Sequence, residues 1–172
     1  AYYALTRPFN PAPWLNVTPV AGGRYTRYDN THGAARAGGV ERLLGELGFD
    51  AALRASGTFA YRNETWGING LRHLITPTLS YRYIPRADRD AAKIPAIDRR
   101  TFTTYLPPLG LDATRNVDDL PAVETLRFGL ENTLQTRDGT YGSRDLLTFN
   151  AAADIRFHRP ASVRDVSEIH TA

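Results

Sequence analysis

Apolar and polar residues alternate along the whole of segment 71–85, LRHLITPTLSYRYIP. One set of alternate positions is mostly apolar and ends in Tyr81 and Tyr83; the other is mostly polar, with Arg72 and Arg82 near its ends. Because successive side chains of a β-strand point to opposite sides, this pattern predicts a long strand with one apolar and one polar face. The fold class then depends on whether the apolar face packs on a protein core or faces lipid.

The same alternation predicts four further strands, at about residues 14–28, 43–61, 123–137 and 144–158. The apolar spacing over 40–47 also fits a helix. Gly45 and Gly48 disfavour a helix, and the alternation continues to Tyr61, so we prefer a strand. Pro19 has no N–H to donate, which predicts a weakened strand or a bulge at that position.

The two ends of the chain give weaker patterns. Residues 1–13 contain two short local pieces, and residues 166–172 are interpreted as the start of a sixth strand. Because the chain begins at Ala1 and no basic-then-apolar segment opens it, we expect a processed product or an internal fragment.

Composition excludes several classes of protein. No apolar run is long enough for a transmembrane helix, whereas membrane β-strands, which are only half apolar, remain allowed. With no cysteine, the chain itself has no disulfide, thiolate metal site or cysteine nucleophile. The net charge of +3 is too mild and too dispersed for a nucleic-acid binder.

Three features favour lipid over a protein core. The predicted strands are longer than the roughly five or six residues usual in soluble proteins. Their connections alternate between short turns and long loops, as in outer-membrane barrels. If the short turns are periplasmic, aromatic residues gather at two levels, as interfacial belts do. The outer level has Tyr25, Tyr28, Tyr81, Tyr83 and Phe157, and the inner level has Trp14, Phe59, Tyr61 and Trp66.

The alternative is a soluble antiparallel sheet with one face on a core, which gives the same alternation. We prefer an all-β fold in which long antiparallel strands, about five plus the start of a sixth, form part of a transmembrane outer-membrane barrel. Five strands cannot close such a barrel, so residues 1–172 are predicted to be a partial barrel domain, with an extracellular loop at about 86–122.

The polar face would line the barrel lumen, and arginines outnumber carboxylates on it. Guanidinium groups match phosphate and carboxylate geometry, so a hydrated path for anionic sugars is one interpretation. A water-filled lumen with mutually neutralising pairs is the other. If Arg137 lies opposite Arg144 in the hairpin, Arg127 falls opposite Asp154 and makes one such pair. The predicted lumen residues are Arg24, Glu46, Asp50, Arg54, Arg62, Arg72, Arg82, Arg127, Glu131, Arg137, Arg144, Asp154 and Arg156.

No catalytic, cofactor or metal site is predicted. His73 falls on the apolar face, and the other histidines lack ligand spacing, so His73 is interpreted as a structural histidine. An outer-membrane hydrolase with a Ser/His pair is disfavoured because Ser56 and Ser80 are predicted on the opposite face from His73.

Four segments together resemble one known family. Segment 71–85 resembles the "RH-L-x-P-x-x-x-Y-x-Y-x-P" strand of the C-terminal barrel of LptD, also called OstA. Residues 126–137, LRFGLENTLQTR, resemble that family's "RFGLxNxLQxR" strand. Residues 42–50, RLLGELGFD, and 166–172 resemble the strand before the RH segment and the family's "SDI/SEI" strand start. The family's N-terminal jelly-roll domain, cysteines and closing strands have no counterpart here.

The resemblance implies a non-enzymatic translocon in the outer membrane of a Gram-negative bacterium. Such a protein receives lipopolysaccharide from a periplasmic LptA-like bridge and places it in the outer leaflet. The implied partners are lipopolysaccharide, outer-membrane lipids and an LptE-like lipoprotein plug, with no nucleic acid. A generic porin or channel is the alternative function, because its strand patterning would be the same.

Overall fold

In a computed structural model, residues 1–28, 40–87, 106–114, 122–140, 142–157 and 170–171 are described. Within these ranges the chain forms strands and turns, and no helix is long and apolar enough to cross a membrane. The strands are β1 (Tyr2–Thr6), β2 (Phe9–Ala12), β3 (Leu15–Tyr28), β4 (Val40–Leu53), β5 (Ala55–Asn63), β6 (Ile68–Ile84), β7 (Val123–Asp138), β8 (Gly142–Arg156) and β9 (His170–Thr171).

These strands form one open antiparallel sheet in the order β1-β3-β4-β6-β7-β8-β9. Strand β2 continues the line of β1 along the edge of β3, and β5 continues the line of β4 along β6. The predicted second strand is therefore confirmed as one line of chain, interrupted only at Arg54. Residues 40–47 are strand, so the helical alternative is wrong.

Two internal prolines lie opposite the breaks in the neighbouring strands, one between β1 and β2 and the other between β4 and β5. Pro19 pairs with Phe49 in an unbroken β3–β4 register, while its other neighbour is interrupted between β1 and β2. Pro77 pairs with Leu130 of β7, and on its other side β4 ends at Leu53. A proline cannot donate to a ladder, which explains why the neighbouring strand loses its pairing there.

The connections separate by length between the two ends of the sheet. The short turns, 13–14, 64–67 and 139–141, are all at one end, which we call the turn end. The strand ends that are joined by the connections 29–39, 85–122 and 157–169 are all at the opposite end, the loop end. The predicted alternation of short and long connections is thus confirmed, and the antiparallel order produces it directly.

The N-terminal residues add strands that the sequence left as two local pieces. Strands β1 and β2 pair with β3, and Pro8 and Pro11 had interrupted the alternation that would have revealed them. At the other end His170 and Thr171 pair with Ala152 and Ala151, as the start of a further strand. The rest of predicted segment 166–172 lies outside the described residues.

Burial is inverted relative to a soluble sheet. Along β4, the even-numbered Arg42, Leu44 and Glu46 are buried, while the apolar Leu43 and Leu47 are each 57% exposed. The buried polar residues Arg82 and Thr125 follow the same rule on β6 and β7. Because a soluble sheet hides its apolar face, this distribution weighs against a protein core on that face.

Candidate functional site

The polar face is the candidate site, and its charged residues concentrate at the two ends of the sheet. Paired residues of neighbouring strands share a face. One row near the loop end runs Thr18, Asp50, Ser80, Arg127 and Asp154 across five strands. A row near the middle runs Asn16, Ala52, Thr78, Gly129 and Ala152, with no charge.

At the loop end, Arg82 is held between two carboxylates. Its Nε donates to Glu46 Oε1 at 3.1 Å, and its two terminal nitrogens donate to the two Asp50 oxygens at 3.1 and 2.7 Å. Backbone oxygens of Phe49 and Tyr81 accept from Nη1 at 3.1 and 3.0 Å. A buried arginine is tolerable only with its donors satisfied in this way.

A glycine makes room for this arginine. Gly48 pairs with Arg82 across the β4–β6 ladder. A Cβ built at Gly48 would lie 2.8 Å from Arg82 Cδ and closer still to the Tyr81 carbonyl oxygen. The guanidinium therefore reaches Asp50 by crossing the bare backbone of Gly48.

Glu46 also holds a piece of the long loop on the polar face. We call residues 106–114 the cap segment; it contains the single turn in which Thr114 N donates to Gly110 O at 3.2 Å. Glu46 Oε2 accepts from the backbone N–H of Leu111 at 3.1 Å and from the Tyr2 hydroxyl at 3.2 Å. The Glu46 side chain is only 1% exposed.

Apolar and polar contacts both fix the cap segment. Leu111 is fully buried and packs with Leu44 and Ile84, the core cluster of the described residues. Arg24 Nη1 donates to the carbonyl oxygens of Leu111 and Thr114, both at 3.3 Å. Sequence reasoning treated this stretch as ordinary loop and missed Tyr2, although the apolar island PPLGL at 107–111 was a visible signal.

The predicted pair on the β7–β8 hairpin is confirmed. Arg127 and Asp154 are register partners, with Nε to Oδ1 at 2.7 Å and Nη2 to Oδ2 at 2.9 Å. Arg127 Nη2 also donates to Pro107 O of the cap segment at 2.7 Å. Arg156 reaches Asp154 only at 4.0 Å.

A bulge corrects the hairpin register at the turn end. The pairing shifts by one residue between Leu134 and Gln135, so Arg137 lies opposite Ser143 and not Arg144. Arg144 pairs with Thr136 and thus moves to the face of Leu71, so its predicted place on the polar face is wrong. Asp145 takes the polar face instead and accepts from Gln135 Nε2 at 2.8 Å.

An open groove of about 520 Å³ lies at the turn end, lined by residues from both register faces around the two register shifts. Arg62, Arg72 and Arg137 line it, all three are exposed, and none forms an ion pair within the described parts of the chain. Between the two ends lie Arg54, whose backbone N–H donates to Trp14 O at 2.8 Å, and Glu131, which pairs with Thr76 and Asn150; both side chains are exposed.

The aromatic candidates are at the expected ends of the strands. Tyr25, Tyr83 and Phe157 are exposed toward the loop end, at 42%, 37% and 55%. Tyr81 is partly buried: its ring stacks on Phe49 at 6.1 Å and its hydroxyl donates to Glu124 at 2.9 Å. Tyr61 and Trp66 are exposed near the turn end, at 50% and 74%.

Two polar residues of the apolar face, His73 and Asn132, contact each other. His73 Nε2 lies 2.8 Å from Asn132 Oδ1, which satisfies both groups. Ser56 and Ser80 are register partners of Leu74 and Arg127, on the opposite face from His73. Within the described residues no cluster of histidine and carboxylate groups could hold a metal ion.

The comparisons with known proteins give one match. Residues 1–162 match the LptD family, described as LPS transport system D, while no curated protein and no solved structure matches. Members of that family are outer-membrane proteins of Gram-negative bacteria that transport and assemble lipopolysaccharide, and they are not enzymes. The match covers the sheet from β1 to β8. The chain therefore belongs to the LptD family of lipopolysaccharide-transport proteins.

Proposed function

We propose that this chain is part of the wall of a lipopolysaccharide translocon in the outer membrane, with its apolar face in lipid and its polar face lining the lumen. The observation that carries this proposal is that apolar side chains are exposed and charged ones are buried: Leu43 and Leu47 are exposed, whereas Arg42 and Glu46 are buried. Lipid is the environment in which an exposed apolar face of this length is stable.

The sheet would be closed by strands supplied from elsewhere in the protein. Strands β1 and β9 are its two edges, and unpaired backbone groups at an edge are costly in lipid. In this arrangement the turn end is periplasmic and the loop end extracellular, as short and long connections are distributed in such barrels. The cap segment then covers the outer mouth of the lumen, where Glu46, Arg24 and Arg127 hold it.

The family supplies the expected partners. Lipopolysaccharide would enter from a periplasmic LptA-like bridge, and an LptE-like lipoprotein would occupy lumen space that the polar face leaves open. The uncharged middle row of the polar face, which contains Thr78 of β6, would let anionic sugars pass without strong retention.

Photocrosslinking in living cells tests the proposal. A photoreactive amino acid at Thr76 or Thr78 should yield adducts that carry lipopolysaccharide, because both positions are on the polar face. The matched control is Leu79 on the same strand, paired with Phe128 on the apolar face, which should yield phospholipid adducts or none. Depletion of the protein should also lower newly made lipopolysaccharide at the cell surface.

Two results would contradict this function. Lipopolysaccharide adducts equally frequent at Thr78 and Leu79 would mean that the two faces do not separate lumen from lipid. Normal surface lipopolysaccharide after depletion, together with lost uptake of small hydrophilic solutes, would identify a passive porin instead.

A further inference from the structure

The arginines of the polar face differ between the two ends of the sheet. At the loop end Arg82 and Arg127 are each in bidentate contact with a carboxylate, Asp50 and Asp154. At the turn end Arg62, Arg72 and Arg137 line the open groove without an ion pair in the described parts of the chain. Mutual neutralisation explains the loop end only.

Register irregularities shape the groove. The β5–β6 register shifts between Phe59 and Arg62, beside Gly70 with a φ of 81°, and the β7–β8 register shifts between Leu134 and Gln135. The β7–β8 shift occurs beside Arg72, and the β5–β6 shift occurs nearer the turn end, between Leu71 and Asn69. Bulges change the direction of side chains, and here they flank the β6–β7 pair that carries the groove.

The groove combines positive charge with neutral hydrogen-bonding groups. Arg72 pairs with Gln135, so Arg137, two residues further on the same strand, is a diagonal neighbour whose Cα lies about 7–8 Å away. Thr58 and Asn69 line the same space from β5 and β6, opposite Arg72 and Arg62. Asp145, the carboxylate opposite Gln135, accepts a hydrogen bond from that amide.

We propose that Arg62, Arg72 and Arg137 form a binding site for a phosphate monoester carried on the sugar of a glycolipid. A phosphate monoester has a charge of about −1.5 to −2 at neutral pH and three terminal oxygens that accept hydrogen bonds. Guanidinium groups bind such oxygens in pairs, and three of them suit a dianion better than the single charge of a phospholipid diester. The middle of the polar face offers no comparable cluster, so the site would hold its ligand at the entrance of the lumen.

This inference rests on the proposed function for the glycolipid that carries the phosphate and for the side of the membrane on which the groove opens. The site itself is tested on the intact natural protein in detergent micelles. The probes are a glucosamine-disaccharide glycolipid with its phosphates, the same glycolipid after phosphatase treatment, phosphatidylglycerol and inorganic phosphate, each measured by equilibrium binding.

The wild-type protein should bind the phosphorylated glycolipid on the order of tenfold more tightly than the dephosphorylated one, as hydrogen bonds to charged groups imply. R62Q/R72Q/R137Q should abolish this difference, and R62K/R72K/R137K should restore part of it, since lysine keeps the charge and loses the paired geometry. The matched control is R54Q, an exposed arginine of the same face outside the groove, which should bind as the wild type does. Heat-modifiable gel migration reports folding, and single Arg→Gln variants with graded losses replace the triple variant if it does not fold.

Three outcomes would overturn the site: equal binding by R62Q/R72Q/R137Q and wild type, an equal loss in R54Q, or equal binding of phosphatidylglycerol. Competition by inorganic phosphate supports it, since the phosphate group is then recognised on its own. If the polar face did not line a lumen, crosslinking at Thr78 would fail while phosphate-dependent binding persisted, so the two failures are distinguishable.

Discussion

Replacing Glu46 by Gln should loosen the cap segment while the size and shape of the side chain stay nearly the same. The carboxylate accepts three hydrogen bonds: one oxygen from Arg82 Nε, the other from Leu111 N–H and the Tyr2 hydroxyl. A glutamine amide offers one oxygen and one NH₂. If the oxygen faces Arg82, the NH₂ meets the Leu111 N–H; if it faces Leu111, the NH₂ meets the Arg82 guanidinium.

In either orientation one buried donor loses its acceptor, which costs about 1–3 kcal/mol. Arg82 keeps both Asp50 oxygens, so the cost should stay near the middle of that range, about 2 kcal/mol. Taken as a loss of stability of the cap segment, 2 kcal/mol raises its open population about 30-fold. Arg24, Arg127 and the buried Leu111 still hold the segment, so its protection should fall and not vanish.

Amide hydrogen exchange of peptides covering residues 106–114 measures this opening, because exchange follows the open population when reclosing is fast. E131Q is the matched control: Glu131 is on the same face, exposed and remote from the cap segment. Exchange in E46Q should accelerate about 30-fold and in E131Q should be unchanged. Unchanged exchange in E46Q, or equal acceleration in both variants, would refute the role of Glu46.

Two further predictions concern packing and the apolar face. G48A should destabilise the protein by about 1–3 kcal/mol in urea unfolding, because its methyl group would meet the Tyr81 carbonyl oxygen and Arg82 Cδ. G45A is the control, since the nearest atom to its added methyl group would be 3.8 Å away and its loss of stability should be small. Equal losses of stability in G48A and G45A would contradict the close passage of the Arg82 side chain over Gly48. H73L should cost about 1–2 kcal/mol by leaving the Asn132 amide unpaired, and H73L/N132L should recover most of it. If the loss of stability in H73L/N132L equalled the sum of the losses in H73L and N132L, the two side chains would not interact.

The period-2 pattern predicted most of the sheet because one property, the alternation of apolar and polar residues, defines each long strand. Segment 71–85 lies almost wholly in β6, and the 123–137 prediction matches β7 within a residue. Arg127 and Asp154 could be paired in advance because they lie on the unshifted side of the hairpin. Lumen and belt positions follow from the same alternation and remain predictions.

What the pattern missed depends on contacts between distant residues. One extra residue at Leu146 reverses the faces of Arg144 and Asp145, and nothing in the composition of β8 marks such a bulge. Tyr2 and Leu111 reach Glu46 from 44 and 65 residues away. That the groove arginines form no ion pair within the described residues likewise follows from which carboxylates the register brings near, which a single strand does not reveal.

The accessibility of consecutive β8 positions to lipid and to water shows directly whether the apolar face of the sheet lies in the membrane. Spin labels at single cysteines introduced at Leu147, Thr148, Phe149 and Asn150, four consecutive exposed positions, report collisions with oxygen from lipid and with a nickel chelate from water. This chain contributes no cysteine of its own. Oxygen should collide most at Leu147 and Phe149, and the nickel chelate most at Thr148 and Asn150. Equal accessibility at all four positions, or the opposite phase, would contradict a wall with lipid on its apolar face and water on its polar face.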